Sequence, residues 1–158
     1  MASKGITIAE ECHIVNALPP LDIDVSAQTT DWLHLKNHSH VTFIIQMGVT
    51  GATCAITVEE ASDASGTGNT AIAFNYYAEE TAAGDTLTAR TAATASGITS
   101  SGNNSIMYVI EIDASQLSDG KPWVAVQFAD PGAATFASCV AILSGSRFGA
   151  GITATAIV

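Results

Sequence analysis

The segment Val41-Thr42-Phe43-Ile44-Ile45-Gln46-Met47 sets Val41, Phe43, Ile45 and Met47 at every second position. Side chains alternate across an extended strand, so these four share one face, and that face needs a covering layer. The turn formers Gly48-Val49-Thr50-Gly51 follow, and Cys54, Ile56 and Val58 resume the period of two. Two such runs around a glycine-bearing turn read as a β-hairpin. The same alternation returns in Ile72, Phe74 and Tyr76, in Ile106, Tyr108, Ile110 and Ile112, and in Val124, Val126 and Phe128. Shorter segments, Val25–Thr29, Trp32–Leu35 and Thr86–Thr94, and the long Phe136–Gly145, complete about eight or nine strands. Leu33 and Leu35 are expected to point inward.

Between these strands stand turn-rich connections: Asp63 to Asn69, Gly97 to Asn104, Ser118-Asp119-Gly120 and Asp130-Pro131-Gly132. No long amphipathic helix is visible. Tyr77 to Gly84 is helix-compatible for at most one or two turns. The expected fold is all-β: a β-sandwich, with a jelly roll of about eight strands as first choice and an immunoglobulin-like topology as the alternative. Three regions follow: an extended N-terminal arm over 1–24, the sandwich over 25–147, and an apolar tail or last strand over 148–158.

A chain of 158 residues is large enough to bury one core. Charged residues make up 13%, against roughly 25% in an average soluble domain, which suits a surface that packs on other protein. The net charge of −10 disfavours nucleic-acid phosphates and anionic membrane surfaces as partners. Cys12, Cys54 and Cys139 are odd in number and widely spaced, so a disulfide framework is not expected. Cys54 and Cys139 read as small buried hydrophobes. No apolar signal segment or membrane-length run stands out, which points to a chain made in a reducing cytoplasm.

The N-terminal segment has a different character. Ile6, Ile8, Ile14, Val15, Leu18, Leu21 and Ile23 are scattered among acidic residues, and Pro19-Pro20 blocks helix. Ordering such a segment costs roughly 1–2 kcal/mol of backbone entropy per residue, while each buried Ile or Leu returns about 1.5–3 kcal/mol. That balance favours docking on a neighbouring subunit. Ile6, Ile8, Ile14, Val15, Leu18, Pro19, Pro20 and Leu21 are therefore the expected residues of a contact arm on a neighbouring subunit.

Chemistry-bearing residues are few. His34, His38 and His40 are the one cluster of metal-capable side chains, and His38-Ser39-His40 could place two imidazoles on one strand face. No histidine follows residue 40 to complete a ligand set, so neither a metal site nor a cofactor is expected. Glu59-Glu60 and Glu79-Glu80 are adjacent pairs; on a strand such neighbours diverge, so solvated or subunit-contact roles are expected. Asp63 to Asn69 lacks the closing glutamate of a calcium loop and reads as a solvated turn. Ser146 is misplaced for a nucleophile elbow. Tyr76-Tyr77 and Trp123 could stack a sugar, although Trp123 after Pro122 reads as the start of a core strand. No catalytic residue is expected.

Trp32 to Phe43, Gly48 to Gly51, Thr57-Val58-Glu59-Glu60-Ala61, Ala71 to Tyr76 and Tyr108 to Asp113 together resemble the small decoration, or cement, proteins of tailed-bacteriophage heads. The resemblance covers roughly 30–145 and rests on pattern. It implies a jelly-roll-like β-sandwich on the capsid exterior of a virion, made in the host cytoplasm, with the major capsid protein as partner. It further implies an oligomer, and the low charge, the Ala- and Thr-rich surface and the uncharged stretch Phe148–Val158 point to a homo-oligomer, a trimer in the first place and a dimer otherwise. The alternative is a carbohydrate- or receptor-binding β-sandwich of a virion fibre or spike.

Overall fold

The first and last strands among the described residues pair with each other, and successive strands pair inward from them. The computed structural model describes residues 5, 7–79 and 86–147. A single helical turn, α1 (Ile8–Glu11), precedes β1 (His13–Asp22). Then come β2 (Gln28–Thr29), β3 (Leu33–His34), β4 (His38–Thr50), β5 (Ala55–Ala61), β6 (Thr70–Ile72), β7 (Phe74–Glu79) and β8 (Thr91–Ala93). The order ends with β9 (Ile98–Thr99), β10 (Met107–Asp113), a 3-10 turn at Ala114–Gln116, β11 (Trp123–Phe128) and β12 (Thr135–Ser146). One six-stranded sheet, sheet A, runs β1-β12-β4-β10-β7-β8; sheet B runs β2-β11-β5-β6, with β3 also on β11 and β9 also on β5. All pairs are antiparallel. The pairings β1·β12, β2 and β3·β11, β4·β10 and β5·β6 are those of a hairpin rolled up on itself, the jelly roll.

The period of two fills the space between the sheets. Val41, Phe43, Ile45 and Met47 of β4 face Ile56 and Val58 of β5 and Val124, Val126 and Phe128 of β11 in one core, with Tyr108, Ile110 and Ile112 from β10. Leu33 and Leu35 are buried there as expected. Cys54 and Cys139 are buried free thiols. Burial pushes both up, Cys139 to about 12, so neither is a ready thiolate.

Two expectations are corrected. Gly48-Val49-Thr50-Gly51 does not close a hairpin: β4 runs on to Thr50 in sheet A, and β5 belongs to sheet B. Gly51 makes the crossing possible, since a Cβ there would sit 2.5 Å from the Ala134 carbonyl oxygen. The second concerns 1–24. Residues 13–22 are not an arm but β1, the edge strand of sheet A, paired with β12 from His13↔Leu143 to Asp22↔Phe136. Val15, Ala17, Leu18 and Ile23 are buried in the chain's own core. The ladder to β12 supplies the hydrogen bonds that the entropy comparison left out. Pro19-Pro20 falls in a register shift between Leu18 and Leu21, which an edge strand tolerates because no ladder needs the missing N–H groups. The segment 148–158, expected as an apolar tail or last strand, lies outside the described residues.

Candidate functional site

The two sheets treat their outward faces differently. On sheet A the outward row Val140, Ile44, Val109 and Tyr77 is in register across β12, β4, β10 and β7. Ile14 lies opposite Ile142 at the same face's edge. Ile14, Phe136 and Val140 are 48%, 45% and 36% exposed, while Ile44, Val109 and Tyr77 in the row are half-buried. Next to it, a shallow groove of about 410 Å³ runs between Phe136 and Met107, with Pro20 and Glu79 on its rim. Gly48 forms its floor; a Cβ there would stand 3.2 Å from that of Phe136.

Sheet B covers its own outward face. Trp123 opens β11 as expected, but it points away from the core and stacks on His34, its register partner, with ring centroids 4.6 Å apart. The β5–β6 connection folds back so that Gly66 lies on the ring of Trp32; a Cβ on Gly66 would be 2.8 Å from it. Glu59 and Glu60 diverge, as alternation requires, yet neither is solvated: they are 7% and 2% exposed. Glu59 accepts from the Thr57 hydroxyl at 3.0 Å. Glu60 accepts from the Ser118 N–H at 2.8 Å and pairs with Lys121 at 3.5 Å. The Lys121 ammonium also donates to Thr70.

The arm residues singled out from the sequence do not form one surface. Ile8 and Ile14 are exposed, Val15 and Leu18 are buried, Pro19 and Pro20 are exposed, and Leu21 is half-buried against the core. Ile6 lies outside the described residues. The three histidines likewise separate. His34 packs on Trp123, His38 is buried 6.3 Å from the ring of His13, and His40 lies outward on β4 between two carboxylates of β10. Among the described residues no group of three or more metal-ligating side chains converges.

The His40 arrangement was not visible in the sequence, because Glu111 and Asp113 are brought to it only by the β4·β10 register. Its Nδ1 is 2.8 Å from Asp113, its Nε2 bonds Glu111, and Glu111 also accepts from the Thr42 hydroxyl at 2.8 Å. Burial disfavours the charged ring, but the hydrogen bonds to Asp113 and Glu111 outweigh it and raise the pKa. Ser144 lies beside His40 in register on β12. Both ring nitrogens of His40 thus have a carboxylate partner from β10, which favours the charged ring. The Asp63 turn is as expected: its carboxylate accepts from the Ser65 and Thr67 N–H groups at 2.9 and 3.1 Å. Tyr76 packs with Phe74 and Tyr108, leaving no shared platform with Trp123.

At one end of the sandwich lies a second depression, of about 370 Å³. It is bounded by the residues around β3, the connection from the 3-10 turn to β11, and Arg147 after β12. Backbone bonds tie these segments together: Leu35 N–H to Pro122 C=O at 2.9 Å, and Arg147 N–H to Asn37 C=O at 3.0 Å. No protein-family model matches the chain, and no curated protein matches it in sequence.

Proposed function

We propose that this is a non-enzymatic structural protein of a phage virion, carried on the outside of the capsid, where it bridges major capsid subunits. The observation that carries the reading is the open apolar band on the outer face of sheet A. A monomer rarely leaves more than a few hundred Å² of contiguous apolar surface in water, and such a patch marks a contact site. The occupant argued for is the capsid shell. The chain's net charge of −10 and Glu79 on the groove rim suit a surface with basic residues, and Phe136 and Val140 supply the apolar anchors. The resemblance of 30–145 to capsid decoration proteins supports the same reading. The contact is made by a rigid sheet, so little entropy is lost on docking. Self-association as a trimer, or otherwise a dimer, multiplies the contact by avidity.

The test is whether the protein co-purifies with virions in a fixed ratio to the major capsid protein, and whether added protein raises the temperature at which bare capsids open. Binding at a fixed ratio with a raised opening temperature supports the reading. Absence of the protein from virions, together with no binding to bare capsids, refutes it.

A further inference from the structure

The eleven residues lining the depression at the end of the sandwich hold three of the five Lys and Arg in the whole chain: Lys36, Lys121 and Arg147. In a chain with fifteen acidic residues, this is a concentrated reversal of charge. We propose that the depression is a binding site for a small monoanion of sugar size bearing a carboxylate and hydroxyl groups, a sugar acid.

The charge count selects the monoanion. Lys121 is balanced by buried Glu60, which also takes the Ser118 N–H and so fixes that wall. Lys36 and Arg147 are exposed and, among the described residues, have no carboxylate within ion-pair distance. Asp119 on the same rim carries one negative charge. Two free cations against one carboxylate leave a surplus of one, the complement of a single carboxylate. Arg147 offers a planar fork suited to bidentate contact with that group, and Lys36 a point charge. Asp119 repels a phosphate dianion but accepts hydrogen bonds from sugar hydroxyls. The His34 ring, which lines the depression and is held by stacking on Trp123, offers an aromatic contact for the apolar face of a sugar ring. The volume of about 370 Å³ falls within the range of small-molecule sites. The backbone ties between Leu35 and Pro122 and between Arg147 and Asn37 mean the site is formed before ligand arrives. The proposal goes beyond the capsid reading and is independent of it, since the isolated protein carries every residue involved.

The experiment is titration of the full chain with glucuronate, galacturonate and N-acetylneuraminate, with glucose as the neutral control and glucose 6-phosphate as the dianion. At least one sugar acid should bind saturably, with glucose and the phosphate each about tenfold weaker or more, the scale of one charge-assisted contact. Lys36→Gln and Arg147→Gln should each lower affinity by about tenfold while leaving the unfolding temperature unchanged, both side chains being exposed. Asp119→Asn should shift preference toward glucose 6-phosphate. No saturable binding of any sugar acid would overturn the proposal, as would equal binding of glucose, tighter binding of the phosphate by the unaltered chain, or full affinity in both cation variants.

Discussion

Sheets A and B share one core and expose opposite kinds of outer face. On sheet B the outward residues Trp123 and Glu59 are 8% and 7% exposed: His34 stacks on Trp123, the Thr57 hydroxyl bonds Glu59, and the β5–β6 connection packs Gly66 on Trp32. On sheet A the outward residues Ile14, Phe136 and Val140 are each more than a third exposed, and nothing else among the described residues lies over them. The same alternation writes both sheets. What separates them is the packing of aromatic rings, His34 on Trp123, at the outer face of sheet B, which the outward row of sheet A lacks among the described residues. The outward residues Trp123 and Glu59 of sheet B are covered by the chain's own residues, while Ile14, Phe136 and Val140 of sheet A stay open to solvent.

The largest expected effect tests that division directly. Trp123→Ala should cost about 3–5 kcal/mol in urea unfolding, because its ring is buried against His34 although it faces outward. Val140→Ser on sheet A should change stability by no more than about 0.5 kcal/mol. Equal costs would mean that sheet A's outer face is covered within the monomer. Gly66→Ala follows, at about 1–3 kcal/mol: Gly66 has φ +76°, and the added Cβ would meet the Trp32 ring. A neutral result in the same measurement would show that the loop does not seal sheet B.

The inner faces were legible in the sequence and the outer ones were not. Phe43, Ile45, Ile110 and Val126 sit in long period-two runs, which only a strand with one buried face explains. The period reports that a residue is inward but not which sheet carries it. Ile72 and Phe74 continue a single alternation, yet they lie in β6 of sheet B and β7 of sheet A, with the switch at Ala73. For the same reason Gly48 to Gly51 looked like a hairpin. β1 escaped notice because Pro19-Pro20 is a signal against a strand everywhere except at a sheet edge, and edge position is a tertiary property. The basic depression escaped for a related reason. Lys36, Lys121 and Arg147 come from segments far apart in the chain, and only the backbone ties at the end of the sandwich bring them together.

A smaller effect contrasts the faces through two histidines only six residues apart. His34 on sheet B has its pKa lowered, by burial first and then by Lys36, whereas His40 on sheet A has its pKa raised by Asp113 and Glu111 against the pull of burial. The signs of the linkage are opposite. The unfolded chain binds a proton at the His34 position more readily than the folded one. Its contribution is therefore complete above pH 6.5 and is lost as pH falls from there through the folded pKa. His40 binds its proton more tightly when folded, so its contribution is complete below pH 6.5 and fades as pH rises through the raised pKa. Unfolding of His34→Gln and His40→Gln beside the unaltered chain, over about pH 5 to 8, should give difference profiles of opposite slope. Parallel slopes would show that the carboxylates around His40 do not hold its proton.

The smallest expected effect on stability carries the most about function. Val140 is outward on β12, in register with Ile44 of β4 and 36% exposed. An aspartate there projects its charge into water in the free protein, so the unfolding free energy should move by about 0.5 kcal/mol or less. In a docked state the same carboxylate lies within the apolar contact, without a partner, where an uncompensated buried charge costs several kcal/mol. Val140→Asp should therefore fold as the unaltered chain does and lose capsid occupancy by about a hundredfold or more, at 1.4 kcal/mol for each factor of ten. Glu79→Gln, on the groove rim, should lower occupancy only modestly and mainly at low salt, as a screened peripheral charge does. If Val140→Asp binds capsids at full occupancy while Glu79→Gln does not, the shell is held by charge and not by the apolar band. The open face of sheet A would then have to be covered by another copy of this chain, and the sedimentation of Val140→Asp against the unaltered protein would show that as a loss of the oligomer.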